Sequence, residues 1–281
     1  MVRNIKMRKN MKRIQNICLT FIIIGLILWC CYGWHIKILI ENDYGVEIKG
    51  GLPLIDYRLY YGDNTDDIGD RIRIYNSGMT VTGKPKKPIR IYCDARELII
   101  EEFCSEIRGV ELCISEESSL IIKGWNKLDK IKSFESLSIK GDKSSEIDVC
   151  DGVYSDADLT VSNVSLISGK FDAEKNIRIQ DDSCVNLRMN DTDNDSAEVM
   201  YSSGMIVFEL SEQGQVSLEG RNLYMSALGG ISFGRNNVIV QPENGKIRQS
   251  SADESDGNIY HTYDRDGKQI DKAVIRNTGE K

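Results

Sequence analysis

The sequence predicts an all-β domain, a right-handed β-solenoid in preference to a pair of β-sandwiches, carried on a single transmembrane α-helix. Three observations predict it: a charge-free run near the N-terminus, a long series of short apolar triplets at strand period, and one six-residue pattern that recurs seventeen residues later.

The helix comes first. Ile14 to Trp34 reads IQNICLTFIIIGLILWCCYGW, twenty-one residues without a charge. At about 1.5 Å of rise per residue this covers the ~30 Å of bilayer hydrocarbon. Arg3, Lys6, Arg8, Lys9, Lys12 and Arg13 precede the run without an acid, and Glu41, Asp43 and Glu47 follow it. That asymmetry predicts a cytoplasmic N-terminus and a single-pass signal-anchor in the cell membrane, with the C-terminal domain outside. Trp29, Tyr32 and Trp34 fall at the outer end, where amphipathic rings favour the headgroup zone. A cleaved signal peptide has a shorter apolar core, about 7 to 15 residues, and a small-x-small cleavage site, and no A-x-A pattern follows here. The expected organisation is a basic tail over 1–13, the membrane helix over 14–34, a juxtamembrane segment and first cap over 35–70, the solenoid over 71–250, and a C-terminal hairpin or cap over 251–281.

Charge excludes one class of partner. The first forty residues hold seven Lys and Arg and no acid, so the rest carries 29 basic against 43 acidic residues, net −14. Nucleic-acid binding needs clustered cations that release counterions from the phosphates, so no nucleic acid is expected.

Between residues 70 and 250 no long stretch has the 3.6-residue apolar period of a helix. Triplets with two apolar residues flanking an outward one recur instead, which is the period of a strand. Examples are Ile72-Arg73-Ile74, Leu98-Ile99-Ile100, Leu137-Ser138-Ile139 and Ile177-Arg178-Ile179. Alternate triplets begin at 72, 89, 112, 137, 159 and 177, a spacing near twenty residues that suits a solenoid better than a sandwich. Ser119-Leu120-Ile121-Ile122-Lys123-Gly124 recurs as Ser136-Leu137-Ser138-Ile139-Lys140-Gly141, which predicts that Ile122 and Ile139 occupy equivalent inward positions one coil apart. Stacked coils bury such positions as continuous ladders. Strand residues Ile259 to Tyr263 and Lys272 to Ile275, around turn-rich sequence, predict the terminal hairpin that covers the open end.

The anchor, the degenerate coils and the closing stretch ENGKIRQSSADESDGNIYHTYDRDGKQIDKAVI resemble membrane-anchored β-solenoid surface proteins of Gram-positive bacteria, the group labelled carbohydrate-binding or adhesin-like. The resemblance implies a cell-surface binding or scaffold role. It carries over no binding residues, because no ligand-contacting motif is matched.

Candidate sites are few. Asp191, Asp193 and Asp195 place carboxylates at alternate positions as Ca²⁺ loops do, but Ser196 and Ser202 stand where an EF-hand needs Gly and Glu. A solvated acidic loop is the plainer reading, so Ca²⁺ is a candidate and no cofactor is expected; Asp63-Asn64-Thr65-Asp66-Asp67 has the same status. Trp125 with Lys123 and Lys127 forms a candidate glycan-stacking patch, against the reading of a long corner loop with solvated lysines. Cys93, Cys113, Cys150 and Cys184 lie in or beside triplets and read as compact buried thiols rather than disulfides. With His35 and His261 the sole histidines and no nucleophile elbow, P-loop or H-E-x-x-H motif, the chain is not expected to be an enzyme. Three roles follow in order: a surface binding module for a glycan or a protein, a structural scaffold of the cell envelope, and a carboxylate-dependent glycan-cleaving enzyme.

Overall fold

A computed structural model describes residues 2–62, 69–142, 144–188, 197–219, 223–232, 247–254, 257–263 and 269–275. One α-helix, Val2–Leu39, continues as a single π-helical turn over Ile40–Tyr44 and ends at Gly45 in the left-handed conformation. Its stretch from Ile14 is long and apolar enough to cross a membrane once, with none of its most apolar window buried inside the protein.

The helix does not stop at Trp34. Ile36, Ile40 and Tyr44 follow at four-residue spacing, so they share one face. All three are buried and belong to the same core as the coils. On the other side Lys37 pairs with Glu41 at 3.6 Å and sits over the Trp34 ring. A charge ends a membrane span but not a helix, so the expected juxtamembrane segment begins as the plug of the first coil.

Beyond the plug the chain is a β-solenoid of about seven turns. Two short strands begin it antiparallel, Val46–Lys49 on Met79–Gly83 and Tyr57–Tyr60 on Arg71–Ile74. From there the strands of both sheets pair in parallel, coil upon coil, as far as Ile231–Ser232 and Ile247–Glu254. The expected terminal hairpin is present as the antiparallel pair Gly257–Tyr263 and Gln269–Ile275, and Ile247–Glu254 joins it as a third antiparallel strand that links it to the second sheet.

The inward ladders explain why these residues form these strands. In the first sheet Met79, Leu98, Leu120, Ile139, Val161, Ile179 and Phe208 stand one above another, all buried. In the second sheet the series is Ile72, Ile91, Leu112, Ile131, Val153, Phe171, Met200 and Met225. Neighbouring strands lie about 4.8 Å apart, so each side chain covers the one below, and a buried aliphatic contributes roughly 1.5–3 kcal/mol.

Two expectations about register need correction. Ile139 stands over Leu120, not Ile122, whose partner one coil earlier is Ile100. Ile122 and Ile139 do both point inward, because a slip of two residues keeps every side chain on its face and only a slip of one reverses it. Matching identical residues therefore could not detect it. The series 72, 89, 112, 137, 159 and 177 also crosses between sheets after residue 112, since a strand at Trp125–Ser133 intervenes.

That strand opens a third side. Trp125–Ser133 and Glu146–Ser155 are long, and between them the pairing shifts at Val149 and Gly152. The next coil breaks the long strand into Ser165–Ser168 and Phe171–Ala173. The ladder of this new side runs Asn126, Ile147, Leu166, Val185 and Val216, and its first member is polar.

The cysteines divide. Cys93 and Cys113 are buried, but Cys150 and Cys184 are exposed, and all are free thiols. Cys150 follows the inward Val149 and Cys184 precedes the inward Val185, so alternation places both on the outer side. Cys93 sits in a corner ladder with Ser133 and Ser155 and, like Ser133, donates to the carbonyl two residues on, here Ala95 at 3.5 Å. Burial pushes its thiol up to about 11. Reagent must also reach the sulfur, so the exposed Cys150 and Cys184 are expected to react with iodoacetamide in the folded protein while Cys93, buried and hard to ionise, reacts only on unfolding. Peptide mass mapping reads the order, and early modification of Cys93 would place it at the surface.

Candidate binding surface

Alternate residues of a strand face opposite ways, so the outer face of the second sheet carries ladders as regular as the core. One outward row passes Arg58, Arg73, Tyr92, Cys113, Lys132 and Tyr154. Beside it run Tyr60, Arg71, Arg90, Glu111 and Lys130. Cations make up three of the six residues of the first row and three of the five of the second, although the domain as a whole is strongly acidic.

The cations are laid on aromatic rings. Arg58 and Arg73 lie 5.7 and 5.8 Å from the Tyr75 ring centre, and Arg71 lies 5.6 Å from that of Tyr60. Further along, Lys130 is 4.4 Å from the Tyr154 ring and Lys132 is 4.8 Å from Phe134. Such stacking holds a cation at about 0.5–1 kcal/mol on an exposed surface and leaves its edge free to donate. Tyr60 and Tyr75 bring their hydroxyls to 2.6 Å. The bond from Tyr75, with Arg58 and Arg73 beside it, draws the Tyr60 phenol below its ordinary value, while burial and the same bond raise Tyr75.

Three of these cations have carboxylate partners and three do not. Arg73 bonds Asp94, Arg90 bonds Glu111 at 2.8 Å, and Lys130 meets Asp151 at 3.3 Å. Arg58, Arg71 and Lys132 have no carboxylate partner among the described residues; Arg58 donates instead to the Leu54 carbonyl at 3.0 Å. Near Lys132 a depression of about 210 Å³ is lined by Lys130, Tyr154, Asp156, Asp172 and Glu174.

The residues singled out from sequence are separated by a corner. Gly124, in the left-handed conformation, turns the chain between Lys123 and Trp125. Lys123 therefore ends a strand of the first sheet beside Glu101, and Trp125 and Lys127 begin the third side. Trp125 is 49% exposed and opens a strand rather than lying in a long loop, and Lys127 pairs with Asp148 at 3.9 Å. The patch is a single ring beside a partly neutralised lysine. Asp191, Asp193 and Asp195, and the acidic run from Asp63 to Asp67, lie outside the described residues.

A concavity of about 690 Å³ is on the outer face of the first sheet. Ser119, Ser138 and Thr160 stack along its floor, one per coil, between Arg96 and Lys140 and the acids Glu116, Glu117 and Asp158. Among the described residues its lining holds no aromatic ring. The row on the second sheet escaped sequence reasoning because its members are spread over five coils, and its signal is the basic or tyrosine residue at the centre of successive triplets. No family model matches the sequence, and neither does any curated protein or solved structure.

Proposed function

We propose that the chain is a membrane-anchored surface binding module that holds an extended anionic glycan along the outer face of its second sheet, outside the cell. The observation that carries this reading is the double row of stacked cations and tyrosines on a domain whose overall charge is negative. Guanidinium edges match carboxylate or sulfate groups with two parallel hydrogen bonds, and tyrosine faces give sugar rings a flat apolar support. A rigid ladder presents these groups at a fixed step, which suits a polymer with a regular repeat. The surrounding acidity opposes a densely charged phosphate backbone and tolerates a polymer with charge on some sugars only. The basic N-terminal tail supports an outward-facing domain, and the resemblance of the closing stretch to carbohydrate-binding surface proteins supports the ligand class.

The full chain in lipid nanodiscs, applied to an array of uronic-acid, sulfated and neutral oligosaccharides, is expected to retain the anionic ones and to release them as salt rises. Joint replacement R71E and K132E is expected to weaken binding about tenfold, the equivalent of ~1.4 kcal/mol, while K140E on the first sheet leaves it unchanged. Equal binding of neutral sugars, or indifference to R71E and K132E, would refute the proposal.

A further inference from the structure

The turn Gly51 to Asp56, read from sequence only as part of a cap, is an apolar tip with its own internal scaffold. Leu52 is 61% exposed and Ile55 is 46% exposed. The tip is closed by Asp56 N–H to the Leu52 carbonyl at 2.9 Å, by Leu54 N–H to the Tyr57 carbonyl at 2.9 Å, and by Leu52 N–H to the Asp56 carboxylate at 2.6 Å. Leu54 holds a left-handed backbone, φ +71°, which a leucine adopts only where its surroundings impose it. Two large apolar side chains are thus held in the open by a built turn.

Its place in the fold decides what covers it. The tip lies against the membrane helix at Gly33, where an added Cβ would touch Pro53 at 3.4 Å and Leu54 at 3.8 Å. Gly33 lies nineteen residues beyond Ile14, or about 28 Å along the helix axis, close to the far end of the ~30 Å hydrocarbon layer. Tyr32 and Trp34 at the same level are exposed, as expected of rings in the headgroup zone. Leu52 and Ile55 therefore stand where acyl chains give way to headgroups.

We propose that Leu52 and Ile55 insert into the outer leaflet of the bilayer that the helix spans, giving the solenoid a second point of attachment and a fixed orientation on the membrane. The proposal rests on the reading of the helix as a membrane span. Because the helix end is itself the plug of the first coil, helix and tip act as two rigid contacts, and the row of cations keeps a constant angle to the surface.

The chain's own tryptophans supply the test. Single-tryptophan forms of the full chain, with the other tryptophans changed to Phe, are reconstituted in phosphatidylcholine vesicles carrying lipid brominated on its acyl chains. Retained Trp29 reports the span and retained Trp125 reports water, while L52W and I55W report the tip. Loss of fluorescence in L52W and I55W approaching that of Trp29, with Trp125 unquenched, is the expected result. Quenched Trp29 with unquenched L52W and I55W would leave the span intact and overturn insertion, placing the tip in water or under a protein partner. Unquenched Trp29 would overturn the span, and the proposal with it.

Discussion

Replacing Gly45 by alanine is expected to unseat the helix from the solenoid, at about 4 kcal/mol or more. Gly45 ends the π-helical turn at φ +69°, where its N–H bonds the Ile40 carbonyl. That conformation alone costs an alanine roughly 1–2 kcal/mol. The new Cβ would also fall 2.0 Å from the Lys84 carbonyl oxygen, and backbone cannot rotate aside as a side chain can. Across the strand pair Gly83, at φ +120°, is equally confined, since its Cβ would meet the Gly45 oxygen at 2.4 Å. Relief requires the strand Met79–Gly83 or the helix end to move, and either motion withdraws Ile36, Ile40 and Tyr44 from the core. The full chain in nanodiscs should show a lowered melting temperature and new proteolytic cleavage between residues 40 and 50. G25A is the control, because nothing lies within 4 Å of that position and alanine favours the helix. A G45A protein as stable and as resistant as the parent would mean that the helix is a tether and not a plug.

Replacing Asn126 by leucine is expected to cost about 3 kcal/mol although every pattern argument favours leucine there. The ladder above is Ile147, Leu166, Val185 and Val216, so a leucine would match its neighbours in shape and polarity. Asn126 is fully buried, however, and its amide ties the corner that opens the third side. Its oxygen accepts the Phe103 N–H at 2.9 Å, and its nitrogen donates to the carbonyls of Lys123 at 3.0 Å and Gly124 at 3.2 Å. Leucine leaves the Phe103 N–H without its acceptor, while the Gly124 carbonyl keeps the Glu146 N–H at 2.9 Å, and a buried orphan costs roughly 1–3 kcal/mol. Urea unfolding followed by circular dichroism measures the loss as a lower midpoint at unchanged slope. A leucine variant equal to or more stable than the parent would show that water reaches the corner and satisfies the backbone.

The candidate surface was the least legible part in the sequence. Lys123, Trp125 and Lys127 are neighbours in the chain but are parted by the corner at Gly124, whereas Arg58, Arg71 and Lys132 become neighbours on one face only after the coils stack. Leu52 and Ile55 look in sequence like any other apolar pair, and acquire meaning from the height at which Pro53 meets Gly33.

By itself the sequence determined the membrane-length helix, the all-β class, the solenoid and the inward or outward direction of most strand residues. These follow from composition and from local periods, which act within a few residues of the chain. Register, the passage from two sides to three, the helix as plug and the row of cations were decided only by the tertiary structure. Each depends on where a corner falls and on which coil lies above. A two-residue slip leaves the local pattern unchanged, so nothing in that pattern selects between the alternatives until stacked side chains and buried hydrogen bonds do.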